Sequence, residues 1–194
     1  MCIRDSTYID SDCDIKMARD IVVDAKTQKP SVCNALETLL VSESVAKEFL
    51  PLIGRDLIEK GVEIRADQQS SDLLGIDSVP ASNEDWRTEY LDLILSVKVV
   101  SDINDAIDHI NEYGSHHSDC IVTDSRENAD LFMKKIDSAT VFWNVSTRFS
   151  DGEEFGFGAE IGISTDKLHA RGPMALRELT SYKYLITGNG QTKS

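Results

Sequence analysis

The chain carries 194 residues, with 34 Asp and Glu against 20 Lys and Arg, a formal net charge of −14 and a hydrophobic content of 41%. That balance describes a globular chain; it argues against a phosphate-tracking nucleic-acid binder, which needs a basic face, and against electrostatic capture by anionic lipid. No run of about 18 apolar residues occurs, so no membrane span is expected, and the opening MCIRDSTYIDSDCD lacks the apolar stretch of a secretory leader.

In chain order, Ile15, Ala18, Val22 and Ala25 fall at helical spacing behind the capping candidates Asp12 and Asp14. Beyond Pro30 and Ser31, the positions Val32, Ala35, Leu36, Leu39 and Leu40 predict a further helix with Cys33 in its first turn. Ser42 or Ser44 caps the next helix, which runs to Lys60 with Val45, Phe49, Leu52, Ile53 and Leu57 on its apolar face. Gly61 is its stop, and Pro51 marks a kink or break inside it. Residues 62–66 alternate as a strand, and 67–83 read as a polar connection. The second half predicts a β-branched strand at 94–100, a helix at 102–113 ended by Gly114, a strand at 120–123, a helix at 126–136 and a strand at 140–143. Strand and helix in alternation predict a mostly parallel sheet covered by helices, the α/β class. From 145 to 172 the periodicity gives way to a Gly-rich loop, and YKYLIT at 182–187 alternates as a C-terminal strand.

Few residues stand out chemically. Cysteines at 2, 13, 33 and 120 form no CxxC pair, which points to free thiols in a reducing, cytoplasmic compartment and to no structural metal. In a first helical turn, Cys33 would meet unpaired backbone N–H groups that lower a thiol's pKa. On residue chemistry alone, the heavier reading is a small apolar residue packed beside Val32 and Ala35. Residues 164–194 hold five bases against two acids in an otherwise acidic chain, a local positive island suited to an anionic small molecule or simply a solvated loop. Gly152, Gly156 and Gly158 form no phosphate-binding fingerprint. Glu89, Glu153, Glu154 and Glu160 are general-base candidates of equal standing, and Trp86 and Trp143 read as packing residues.

Three stretches carry a specific resemblance. DAKTQKPSVCNALETLLV at 24–41, VSDINDAIDHINEYGSHHSDCIVT at 100–123 and STRFSDGEEFGFGAEIGISTDKLHARGPMALRELTSYKYL at 146–185 are similar to the γ-glutamyl phosphate reductases. These are the glutamate-5-semialdehyde dehydrogenases of the aldehyde dehydrogenase superfamily. The resemblance runs from about Thr7 to Tyr184, and Val100 to Ile121 matches the family signature. It implies that Cys33 is the catalytic nucleophile, attacking γ-glutamyl phosphate to give a thioester that NADPH reduces to glutamate 5-semialdehyde, the second step of proline biosynthesis. It places Glu89, in EYLDL, where the superfamily uses a Glu on the nicotinamide ribose. Arg148, His169 and Arg171 suit the substrate's phosphate or carboxylate, while His117 and Ser118 read as structural or interfacial. The backbone N–H of Cys33 serves as one oxyanion donor; the superfamily's Asn donor belongs to a cofactor domain.

The same resemblance implies an organisation. Residues 1–6 are foreign to the family, which has a Cys-His pair where Asp5 and Ser6 stand. Residues 7–180 form an aldehyde dehydrogenase-like catalytic domain, and 181–194 an oligomerisation strand and tail. An N-terminal NADP(H)-binding domain is largely absent, so the chain is expected to be inactive alone. The implied protein is a cytoplasmic homo-oligomer that associates with glutamate 5-kinase and uses NADP(H) and no metal. Alternatives are the reductase part of a bifunctional pyrroline-5-carboxylate synthase, a CoA-acylating aldehyde dehydrogenase and a non-catalytic fragment of the same fold.

Overall fold

Asp14 starts the first helix by accepting the Met17 amide at 2.8 Å, which leaves α1 running over Ile15–Thr27. The computed structural model describes residues 2–193. The chain enters through β1 (Asp5–Ile9), passes along α1, and then departs from the helical expectation. Residues 30–35 form turns, and β2 occupies Leu36–Ser42 with every residue buried. The reason is position: β2 lies between β1 and β5 in the middle of the sheet, so both of its faces take apolar residues. A continuous apolar run then mimics a buried helix, and periodicity cannot separate the two.

Helix α2 (Glu43–Glu59) follows, flanked by Ser42, and runs unbroken through Pro51. Pro51 is half-buried and removes one N–H bond without ending the helix. Gly61 closes the helix at φ +79°, as the stop signal predicts. Strand β3 (Glu63–Ala66) leads into the supposed connection, which contains α3 (Gln68–Leu74) and a short edge strand β4 (Val79–Pro80). Helix α3 buries only Ser70 and Leu74, too sparse a stripe to read from the sequence. Asp67 caps it through the Ser70 amide at 2.9 Å.

The second half matches expectation closely. Strand β5 (Ile94–Val100), α4 (Ile103–Tyr113), β6 (Ser118–Val122), α5 (Arg126–Lys135) and β7 (Thr140–Trp143) alternate as predicted. Seven strands form one parallel sheet in the order β4-β3-β5-β2-β1-β6-β7. Ile9, Leu39 and Val41 pack with α1 and α2 in one core layer. Tyr8, Leu40 and Ile121 pack with Phe132 and Ile110 in another. The alternation of Tyr8 and Ile9 places them in separate layers.

The Gly-rich loop holds more structure than its sequence shows. A single helical turn at Thr147–Phe149 is followed by β8 (Gly162–Ser164) and β9 (Gly172–Met174), an antiparallel pair. Residues 182–187 form no strand within the chain; Tyr182, Tyr184, Leu185 and Ile186 are exposed.

Candidate active site

Cys33 sits in the turn between α1 and β2, at the edge of the sheet where the parallel strands begin. Asp5 opens β1 at the same edge, His117 and Ser118 open β6, and Thr140 opens β7. The thiol is half-buried and belongs to no helix, so no helix dipole acts on it. Burial pushes its pKa up to about 11, and the Asp5 and Glu160 carboxylates push in the same direction. The backbone N–H groups of Asn34 and Cys33 oppose them without prevailing. The expected lowering is therefore overturned: desolvation and two negative neighbours outweigh two amide dipoles.

The segment after β7 comes back to meet this turn. It leaves β7 with the Asn144 amide donating to Ile121 O, and returns far enough for Ser150 Oγ to lie 3.4 Å from Thr140 Oγ1, at the start of β7. There Asn34 Nδ2 donates to the carbonyls of Arg148 at 3.2 Å and Ser150 at 3.1 Å, and Thr147 Oγ1 donates to Asn34 O at 2.8 Å. Arg148 Nε in turn donates to Gln28 Oε1 at 2.8 Å, closing the ring onto the end of α1.

A second pair lies beneath the turn. Lys26, in the last turn of α1, and Glu37, on β2, form an ion pair of 3.0 Å with side chains 0% and 2% exposed. Burial pushes Glu37 up to about 7 and Lys26 down, each against the pull of its partner. The other Glu37 oxygen accepts the Leu91 amide at 3.3 Å, pinning a residue whose φ of 56° is left-handed. Glu89 lies two residues earlier, close enough that its charge raises Glu37. Sequence reasoning missed both Lys26 and Glu37. Glu37 had a signal, a lone anion inside the apolar run ALETLLV that periodicity counts as an interruption, whereas Lys26, in DAKTQKP, had none.

Around Asp5 the structure buries a dense polar cluster. The Asp5 carboxylate accepts from His117 Nδ1 at 3.0 Å, from the Ser118 amide at 3.1 Å and from the Ser118 hydroxyl. Asp119 accepts the Ser6 amide at 2.9 Å and the Ser138 hydroxyl at 2.5 Å. Burial raises Asp5, and burial plus the Asp5 charge pushes Asp119 up to about 7. Burial alone would lower His117, but the adjacent Asp5 carboxylate wins and raises it.

The sequence-predicted site residues are only partly gathered. Arg148 reaches the Cys33 turn through its backbone and Gln28 through its side chain. Glu89 connects to β2 through Leu91 and Glu37. Arg171 is committed elsewhere: its guanidinium donates to Asp137 Oδ1 at 3.0 Å and to Asp137 O at 2.7 Å, and Lys167 also pairs with Asp137. These contacts fasten the β8–β9 hairpin to the end of α5. His169 is exposed in the same hairpin loop. No cluster of three His, Cys, Asp or Glu side chains suited to a metal ion occurs among the described residues.

Comparison with known proteins places this geometry in context. No family model matches the sequence. A γ-glutamyl phosphate reductase of Francisella philomiragia subsp. philomiragia is 57% identical over 187 residues, which cover 96% of this chain and 45% of that protein. The crystal structure of γ-glutamyl phosphate reductase from Thermotoga maritima superimposes with a TM-score of 0.95 at 47% identity, covering 100% of this chain and 47% of that one. A propionaldehyde dehydrogenase from Clostridium phytofermentans shares the fold alone, at a TM-score of 0.57 and 16% identity over 81% of this chain and 43% of that one. The chain spans less than half the length of the curated relatives it matches.

Proposed function

Because this chain closely matches the γ-glutamyl phosphate reductase family of the aldehyde dehydrogenase superfamily, over 96% of its own length and 45% of a relative's, we propose that the protein it represents reduces γ-glutamyl phosphate to glutamate 5-semialdehyde. The observation that carries the reading is this level of identity across a segment that includes the Cys33 turn. Cys33 acts as nucleophile: its thiolate attacks the acyl carbon, the bond to phosphate breaks, and phosphate leaves with the electron pair. Phosphate is a good leaving group, so the thioester forms without a base to activate water. NADPH, when bound, supplies the hydride that reduces the thioester carbonyl. The C–S bond of the resulting hemithioacetal then breaks, its electron pair returns to Cys33 as thiolate, and the aldehyde is released.

The chain's own residues fit part of this work. The backbone N–H of Cys33, which also acts on its own thiol, serves in this reading as one donor to a developing oxyanion. Asn34 cannot supply that hydrogen bond from its side chain, since Nδ2 is committed to two carbonyls. Glu89 is half-exposed, and its carboxylate forms no hydrogen bond among the described residues, which suits it to accept from ribose hydroxyls. Arg148 and His169 remain the side chains offered to an anionic substrate, Arg148 while it holds Gln28, and Arg171 reaches it only by leaving Asp137. The remaining parts of the reading are a homo-oligomer and association with glutamate 5-kinase.

The test is turnover of the full-length protein containing this segment. NADPH oxidation dependent on γ-glutamyl phosphate, abolished by Cys33→Ser, supports the reading. Equal turnover in the Cys33→Ser protein removes it.

A further inference from the structure

Asn34 follows the proposed nucleophile directly and is 3% exposed. Its side chain donates to Arg148 O and Ser150 O, and its carbonyl accepts from Thr147 Oγ1, three bonds between segments more than 110 residues apart. Thr147 and Ser150 are themselves fully buried. Asn34 Oδ1 is buried with no hydrogen-bond partner, an unpaired acceptor that a fold selected only for stability would avoid. An apolar residue of similar shape would remove this orphan but leave the Arg148 and Ser150 carbonyls without these donors, so what Asn adds here is the pair of donors.

We infer that Asn34 and Thr147 form a lock that positions the Cys33 thiol by bolting its turn to the 147–150 segment. This deepens the reading of Cys33 as nucleophile and rests on it for its catalytic meaning. Among the described residues the turn has no helix or strand bonding, only the turn bond from Ala35 N to Val32 O at 3.0 Å, so its placement depends on bonds from outside. Arg148 ties the same segment to Gln28, giving the turn a rigid support on both flanks. Asn34 is a positioning residue in this scheme: it touches the turn and not the substrate. The groups whose charges act on the thiol are Asp5 and Glu160, and the lock holds Cys33 half-buried in their field.

A chemical probe tests this on the chain as it stands. Iodoacetamide alkylation is followed against pH, and Cys33 is resolved from Cys13 by peptide mapping. Cys13 is a matched internal control: it too is half-buried and pushed up to about 11, by burial and by Asp10 and its acidic neighbours. In Asn34→Leu, which keeps the branched shape and neutrality while removing the donors, the Cys33 midpoint falls by about one unit or more toward its ordinary value of about 8.5. Its rate at pH 8 rises about tenfold, the same unit read as thiolate fraction, while Cys13 does not move. Thr147→Val gives a smaller shift of the same sign, and Thr147→Ser restores the parent profile. A Cys33 profile unchanged in both Asn34→Leu and Thr147→Val overturns the lock. So does a shift that Cys13 shares, because that reports general loosening. Turnover retained by Cys33→Ser in the full-length protein is a different result, which overturns the nucleophile reading while the alkylation profile still decides the lock.

Discussion

Lys26 and Glu37 meet at 3.0 Å in the space between the end of α1 and β2, with essentially no solvent reaching either side chain. They sit seven residues before and four residues after Cys33, so a single buried ion pair closes the base of the turn that carries the thiol. Lys26 lies in the last turn of α1, where a cation also answers the negative end of the helix.

This pair should be costly to break from one side. Lys26→Met leaves the Glu37 charge buried and unpaired, and is expected to destabilise the chain by about 3–5 kcal/mol. Lys26→Met with Glu37→Gln should recover most of that loss, since Gln still accepts the Leu91 amide. Urea unfolding of the three proteins measures both values. A single-variant loss under about 1 kcal/mol, the range of an exposed pair, contradicts the buried geometry.

Asp119 sets a pH dependence. Its carboxyl goes from an ordinary 3.8 unfolded to about 7 folded, so the folded chain holds this proton more tightly. The resulting stability is complete below about pH 4 and declines as pH rises toward 7, by an amount of order 4 kcal/mol. Asp119→Asn should remove that decline. Comparing the two proteins from pH 4 to 8 cancels the contribution of Glu37, on which Asp119 does not act. Parallel stability curves across that range would show that Asp119 is ionised without penalty.

Gly61 isolates backbone strain from packing. It holds φ +79°, yet a Cβ placed there meets nothing within 4 Å. Gly61→Ala is therefore expected to cost about 1 kcal/mol from the left-handed conformation alone. A neutral or stabilising result in thermal unfolding would mean that the end of α2 relaxes freely.

The isolated chain should turn over poorly. If the superfamily's oxyanion Asn and most of the cofactor site lie on a domain outside it, loss of that one donor alone predicts a rate at least about 100-fold below that of the full-length protein. Side-by-side NADPH oxidation assays check this, and comparable rates would place the whole site on these 194 residues.

Legibility in the sequence followed the range of the interactions involved. Asp14, Asp102, Gly61 and Gly114 marked helix ends that the structure reproduces, because a cap is a contact between residues two to four positions apart. The turn and strand at 30–42 were misread because burial on both faces of β2 removes the alternation that identifies a strand. Helix α3 escaped notice because two buried positions do not make a stripe.

By itself, then, the sequence determined the α/β alternation, the long helices and the stretches that match a known reductase family, including the position of Cys33. All of these are encoded in neighbouring residues or in contiguous motifs. Tertiary structure alone decided that the Cys33 thiol is raised, that Arg171 is spent on Asp137, that Lys26 finds Glu37, and that Asn34 is held by Thr147, Arg148 and Ser150. Each depends on desolvation or on partners distant along the chain, and folding alone brings those together.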